Sequence, residues 1–329
     1  MKELDKKIIN TIKKYNLIEK GDKIVLAVSG GPDSMCMLNA LIENYIVNDT
    51  NQNCQKGPSP LATSEIVVAH VNHMIREEAA DDENYVREFC ESKGIEFYSK
   101  SIDVQKMANN NKTGTEEAGR MARYEFFDEI LEKTNATKIA IAHNKNDNAE
   151  TVIMNALRGS GITGLKGIEP KRGKYIRPLI ECERFEIEEY CKEKQLNPRI
   201  DKTNSENIYT RNKVRNVVIP YIQEEFNPNI INTFSRLSEL VREEEFYIEK
   251  QVLGAYNNML ISENTTQTQL DKDNENQIIL DLKKFNEEEK VIKSRLVLYT
   301  ITRLLGSSKG IEKVHIEDIL KLCKNNIRK

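Results

Sequence analysis

Residues 23 to 34 read Lys23-Ile24-Val25-Leu26-Ala27-Val28-Ser29-Gly30-Gly31-Pro32-Asp33-Ser34, and the following stretch, up to Ile46, has the make-up of a helix. A short apolar run, a glycine turn and a helix start together make one β-loop-α unit, with the loop at the carboxyl end of the strand where α/β sheets bind ligands. Glycines let the backbone turn sharply and approach a ligand, and the amides of the loop and helix N-terminus point at an anion. Gly30, Gly31 and Pro32 shape such a turn, while Ser29 and Ser34 bring hydroxyl donors for phosphate oxygens. Asp33 stands apart, because a carboxylate repels phosphate unless a divalent cation bridges them. It is assigned an Mg²⁺-linked or helix-capping role. The loop lacks the Gly-Lys-Ser/Thr of a Walker A motif and the spacing of the dinucleotide fingerprint, which sets both classes aside.

Working outward, apolar runs alternate with amphipathic stretches. Strands are predicted near 23 to 28, 65 to 71, 95 to 100 and 138 to 142, and helices near 33 to 46, 78 to 93, 115 to 133 and 147 to 157. This is the pattern of an α/β domain with a doubly wound, mainly parallel sheet. The polar stretch 48 to 64 reads as a surface loop. The glycine-dense run from Gly159 to Gly167 reads as a loop over a site rather than a packed element. Beyond Arg211 the chain turns largely helical (211 to 225, 229 to 260, 284 to 304, 313 to 325), so a catalytic domain is expected over 1 to 215 and a smaller helical tRNA- or substrate-binding domain over 216 to 329.

The chain has 329 residues, 39% of them hydrophobic and 31% charged, and a net charge of −3. That length favours two domains, and the composition excludes the disordered, collagenous and disulfide-scaffold classes. The N-terminus lacks the apolar core of a signal peptide, and no apolar run approaches the roughly 18 residues that span a bilayer, so a cytoplasmic protein without membrane contact is expected. The six cysteines are scattered with no CxxC pair, and read as reduced thiols rather than a disulfide framework or a zinc site. Charge is uneven: residues 1 to 157 carry a net −6, 158 to 215 a net +5, and 216 to 329 a net −2. In the basic island, Arg158, Lys166, Lys171, Arg172, Lys174 and Arg177 face Glu169 alone up to Ile180. Such a patch suits a polyanion through counterion release, or is a solvated loop face.

Three further clusters carry chemistry. His70 and His73 close the second strand, where nucleotide contact is favoured over zinc because no other His or Cys lies near in sequence, a structural histidine being the alternative. On the third helix, Glu117, Arg120 and Tyr124 share a face; an arginine there can stabilise charge on a phosphate as its leaving group departs, or simply pair with Glu117. Asp147 and Glu150 project from a helix start on one side. They either complement the helix dipole or form an acidic pocket for an amine, whose proton a carboxylate can accept. Arg211 and Arg215 stand at i, i+4, a spacing that suits phosphate contacts and equally suits arginines lying along the surface.

Together these blocks resemble the tRNA(Ile)-lysidine synthases, within the N-type ATP pyrophosphatases of the PP-loop type. The likeness runs from about Lys23 to Arg215, through SGGPDS (29 to 34), HVNHMIR (70 to 76), EEAGRMARYEFF (116 to 127), AHNKNDNAET (142 to 151), RGSGITGLKGI (158 to 168), RPLI (177 to 180) and DKTNSENIYTRNKVR (201 to 215). It implies an adenine nucleotide alpha hydrolase-like fold that uses ATP and Mg²⁺. It also implies that the C2 carbonyl oxygen of the wobble cytidine in an isoleucine tRNA with a CAU anticodon is adenylated, pyrophosphate leaving. The ε-amine of L-lysine then attacks C2 and expels AMP, and decoding switches from AUG to AUA. By that likeness Ser29, Gly30, Gly31, Pro32, Asp33, Ser34 and His70 hold the nucleotide, and Asp33, Arg120 and Glu150 are catalytic. Asp147 and Glu150 receive lysine, while Arg158, Lys171, Arg172, Arg177, Arg211 and Arg215 meet tRNA.

Family members often carry a further C-terminal domain, so a chain that stops at Lys329 is read as a short or truncated member. The sequence is silent on oligomeric state, and a homodimer is compatible with it. A tRNA-thiolating relative would need cysteines at spacings absent here. A small-molecule amide-forming ATP pyrophosphatase explains the loop but not the basic island, and a non-catalytic nucleotide- or RNA-binding module leaves the acidic and arginine positions without a purpose.

Overall fold

The computed structural model describes residues 3–45, 65–72, 79–112, 114–199, 210–264, 276–308 and 310–325. The 48 to 64 stretch, His73 to Arg76, Cys54 and residues 201 to 209 lie outside the described residues. By contacts the chain divides into two compact units, Met1–Glu239 and Leu240–Lys329.

In the first unit, α1 (Glu3–Lys14) precedes β1 (Lys23–Ala27), α2 (Pro32–Tyr45), β2 (Glu65–Asn72), α3 (Ala79–Lys93), β3 (Glu96–Ser101), α4 (Val104–Asn111), α5 (Thr115–Lys133), β4 (Lys138–Ile141) and α6 (Lys145–Leu157). There follow α7 (Gly161–Leu165), β5 (Lys171–Arg172), β6 (Tyr175–Ile176), α8 (Arg184–Glu193) and α9 (Thr210–Lys213). A π-helical stretch, Val214–Val218, then leads into α10 (Ile219–Glu225) and α11 (Ile230–Met259). The sheet order is β3-β2-β1-β4-β6-β5, parallel except for the β5–β6 hairpin.

Ile24, Val25 and Leu26 of β1 are all buried, as expected of a parallel strand covered on both faces. Ile24 and Leu26 point into a cluster with Leu4, Ile8, Ile12, Met35, Leu38 and Ile187. Val25 points to the other side, where Val67, Phe126, Phe127 and Ile130 gather. Alternation along the strand thus sends neighbouring side chains to opposite layers. The order reverses beside β1, between β2 and β4. At such a switch point the loops after β1 and β4 diverge to opposite faces and leave a crevice between them.

The predicted strands and core helices are present, but three features differ from the expectations. The Gly159–Gly167 run is not all loop: it contains the short helix α7, which has no buried residue, and it is tied to α6, where Asn148 Oδ1 accepts the Ile168 N–H at 2.7 Å and Asn155 Nδ2 donates to Gly164 O at 2.8 Å. The basic island includes a hairpin that extends the sheet. The contact boundary falls at Glu239/Leu240 rather than 215, because Val214, Ile219, Ile230 and Ile231 pack with Ala149 and Ile153 of α6. The second unit pairs the rest of α11 with β7 (Leu260–Asn264), β8 (Gln277–Leu280), α12 (Leu282–Glu287), α13 (Lys290–Leu305) and α14 (Lys313–Asn325), around Tyr256, Phe285 and Leu296.

Gly167 sits at φ +61°, and a Cβ there would lie 2.1 Å from Asn148 Oδ1 and 2.9 Å from a Val152 methyl. Gly173, at φ +57°, has open space around the same position. Gly167→Ala is therefore expected to lower stability by about 2–4 kcal/mol through overpacking and backbone strain, and Gly173→Ala by about 1 kcal/mol through the backbone alone. Urea denaturation of the two variants checks the difference.

Candidate active site

The loop after β1 folds as its residue types require. Gly30 lies at φ +87°, the left-handed region open to glycine, and this turns the chain from strand into α2. Ser34 Oγ donates to Gly31 O at 3.0 Å and accepts the Ser29 N–H at 3.1 Å, and the two serine hydroxyls lie 3.2 Å apart. Ser29 and Ser34 are thus brought together at the start of α2, whose first-turn amides face an incoming anion. The Arg199 N–H donates to Gly30 O at 3.0 Å and ties the loop to the chain after α8.

Asp33 stands on the first turn of α2 and faces the loop after β4. Asn144 Nδ2 donates to Asp33 Oδ1 at 2.8 Å. Burial, and then the nearby Asp147 carboxylate, push the Asp33 carboxyl up to about 6, against the pull of Asn144, Arg184 and Arg215. A buried carboxyl held that high favours the arrival of a cation. Among the described residues no group of three or more His, Cys, Asp or Glu is arranged to hold a metal. The Asp33 carboxylate is the donor type that Mg²⁺ takes, so it is the residue here that would hold such an ion.

Asn144 does more than hold Asp33. It caps α6, accepting the Asp147 N–H at 3.0 Å while its own N–H donates to Asp147 Oδ2 at 3.0 Å, a reciprocal capping box. Asp147, on the first turn of α6, and Glu150, on the next turn, are both buried. Arg211 Nε donates to Glu150 Oε2 at 2.9 Å and its NH2 to Asp147 Oδ1 at 3.1 Å. The Arg215 guanidinium reaches Asp147 Oδ1 at 3.0 Å and both Glu150 oxygens, at 2.5 Å and 2.9 Å. Burial works to raise the Asp147 carboxyl, but Arg211, His143, the Asn144 N–H and Arg215 outweigh it and hold Asp147 below the usual carboxylate range. Arg215 is raised, as Glu150 overcomes the cost of burying the guanidinium.

The other candidate residues separate. His70 is buried, its Nδ1 at 2.9 Å from Val28 O beneath the phosphate loop, and burial lowers its imidazole so that it stays neutral. Glu117 and Arg120 are exposed on α5, with the Arg120 guanidinium 5.6 Å from the Tyr124 ring centre. Of the basic island, Arg158, Lys171 and Arg172 are exposed. Lys174 pairs with Asp128 at 3.0 Å and Lys166 with Glu169 at 3.8 Å. Arg177 turns inward: it is buried, donating to Glu169 O at 2.6 Å and from Nε to His143 Nδ1 at 3.2 Å. Burial, the bordering guanidiniums adding to it, pushes His143 down to about 4, a neutral ring suited to accept that bond.

Sequence reasoning missed Asn144 and the Arg177–His143 contact. The spacing Asn144-x-x-Asp147 is a capping signature and marks the first. No local signal marks the second.

A family described as a PP-loop domain matches residues 2–222. Among curated proteins, the tRNA(Ile)-lysidine synthase of Clostridium acetobutylicum is 44% identical over 324 residues, covering 98% of this chain and 65% of that protein. That of Caldanaerobacter subterraneus is 42% identical over 317 residues, covering 96% of this chain and 62% of that protein. The chain thus spans just under two thirds of the length of these relatives. Among solved structures, the U34-tRNA thiolase NcsA of Methanococcus maripaludis has the same fold, with a TM-score of 0.54 at 18% identity over 72% of this chain and 78% of that one.

A carboxyl raised on folding binds its proton more tightly in the folded state. Asp33 therefore contributes stability that is full below about pH 4 and lost as pH rises through about 6. Relative to Asp33→Asn, the wild-type chain is expected to lose up to about 3 kcal/mol between pH 4 and pH 7. Chemical denaturation of both proteins at stepped pH checks it; parallel curves would remove the raised carboxyl from the account.

Proposed function

The chain belongs to the PP-loop domain family, and from that premise we propose that it joins L-lysine to C2 of the wobble cytidine in an isoleucine tRNA with a CAU anticodon, consuming ATP. The observation that carries this reading is the Asn144 bridge, which sets a buried acidic pair against the carboxylate of the phosphate loop. An amine-binding pocket beside a nucleotide site is what two-step adenylation and amine transfer require.

The roles follow from position. The amides of the loop from Ser29 to Ser34 and the two serine hydroxyls bind the ATP phosphates, and Asp33 would hold an accompanying Mg²⁺, which would offset phosphate charge. His70 supports the loop from beneath. The cytidine C2 oxygen attacks the α-phosphorus and pyrophosphate leaves, and Arg120 is assigned the stabilisation of the developing charge. Asp147 and Glu150 hold the lysine ε-ammonium, and one of them takes its proton so that the neutral amine attacks C2 and AMP departs. Arg158, Lys171 and Arg172 offer exposed positive charge to the tRNA backbone. Arg177 serves that surface indirectly, by fixing Glu169 and His143. The relatives' shared name supports this substrate, and the sheet-edge hairpin bearing Lys171 and Arg172 favours RNA over a small acceptor. A cytoplasmic setting accords with tRNA as substrate, and among the described residues no helix is long and apolar enough to cross a membrane.

Incorporation of radiolabelled lysine into isoleucine tRNA(CAU) transcript, with Mg-ATP and a methionine tRNA control, tests the reading. Label is expected in the isoleucine transcript alone, and Glu150→Gln or Asp33→Asn is expected to reduce it by about 100-fold or more with the fold intact. ATP turnover that proceeds equally without RNA would refute the proposal in favour of a small-molecule acceptor.

A further inference from the structure

Each oxygen of the acidic pair already accepts a hydrogen bond. Asp147 Oδ2 takes the Asn144 N–H and Oδ1 takes both arginines; Glu150 Oε1 takes Arg215 and Oε2 takes Arg211 and Arg215. Among the described residues, these two guanidiniums and two carboxylates balance in charge. Glu150 has a side-chain exposure of 1%, so an added ammonium would leave an uncompensated charge where water cannot screen it. Entry of an amine is therefore favourable only if a guanidinium leaves. A guanidinium that leaves needs an anion in exchange, and the phosphate loop, joined to this cluster through Asn144 and Asp33, is where phosphate is expected.

We propose that Arg211 and Arg215 occupy the acidic pair in place of substrate, and that transfer of one of these guanidiniums from carboxylate to a phosphate group couples amine binding to phosphate binding. The inference rests on the reading that Asp147 and Glu150 receive an amine. Its physical basis is an exchange of partners at constant charge: ammonium replaces guanidinium on the carboxylates, and the freed guanidinium forms a bidentate contact with phosphate. The two arginines are set at i, i+4 from the last turn of α9 into the π-helical stretch, whose Val214 O accepts the Ile219 N–H five residues on. Such wide turns are uncommon and recur at functional sites. Losing the extra residue of the turn would rotate Arg215 away from α6. Each ligand then strengthens the other by the same factor, since coupling between sites is reciprocal.

Equilibrium dialysis of radiolabelled lysine against the full chain reads the coupling in three arms: protein alone, protein with a saturating non-hydrolysable ATP analogue and Mg²⁺, and protein with saturating isoleucine tRNA(CAU) transcript. Lysine is expected to bind about 10-fold more tightly in at least one phosphate arm, and saturating lysine is expected to tighten that analogue or transcript by the same factor. The arm that responds identifies the source of the phosphate. The Arg211→Gln/Arg215→Gln variant is expected to bind lysine tightly in every arm with the enhancement gone, and Arg215→Lys, which keeps the charge, to retain part of it. A purely structural role would shift the melting temperature without changing the ratio of affinities between arms. Equal lysine affinity in all arms of the wild-type chain overturns the proposal while leaving the lysine site in place. No lysine binding in any arm, with nucleotide and RNA bound, overturns the site as well.

Discussion

The contacts of one side chain, Asn144, hold the site together. Its amide nitrogen binds Asp33 on the helix after β1, and its oxygen caps the helix that carries Asp147 and Glu150. Without this bridge the two loops at the sheet's switch point would present separate acidic groups. With it, the Ser29–Ser34 turn and the Asp147–Glu150 pair share a wall. The bridge also has an electrostatic consequence: Asp147 lies close enough to raise Asp33, yet is itself held down by Arg211, His143 and Arg215. Two carboxylates in one crevice are thus driven in opposite directions, the condition under which neighbouring acids take different chemical roles.

The basic island divides along similar lines. Its positive charge is partly internal, with Arg177 buried against His143, and Lys174 and Lys166 in ion pairs with Asp128 and Glu169. What remains outward is Arg158 together with Lys171 and Arg172 on the edge hairpin. A short, lysine- and arginine-bearing edge strand does two things at once. It discourages another strand from pairing there, and it offers charge to a polyanion. The glycine-dense segment before it is likewise structural, because α6 packs against it so closely that Gly167 has no room for a side chain.

Much of this was legible in the chain. The apolar runs marked β1, β2 and β4, since strands buried on both faces must be apolar along their length. The Ser-Gly-Gly-Pro-Asp-Ser spacing marked the turn between β1 and α2, and the i, i+3 acids fall on α6, where both are buried. The stripe Leu4, Ile8, Ile12 that builds α1 was present in the sequence, as was the capping spacing of Asn144 and Asp147. Short features were harder: β5 and β6 are too brief to show a period, and they exist because β4 offers an open edge.

The sequence by itself determined the β-loop-α units, the glycine turn after β1, the helix that carries the i, i+3 acids, and the excess of positive charge after residue 158. All of these depend on residue type at fixed local spacing, and backbone geometry converts such spacing directly into position. Only the tertiary structure decided that Arg211 and Arg215 close on Asp147 and Glu150, that Arg177 points inward, that Asn144 joins the two loops, and that the first unit extends to Glu239. Each of these unites segments far apart in the chain. The partner a buried charge finds is set by where the fold brings opposite charge into a crevice with little water, a condition no local period encodes.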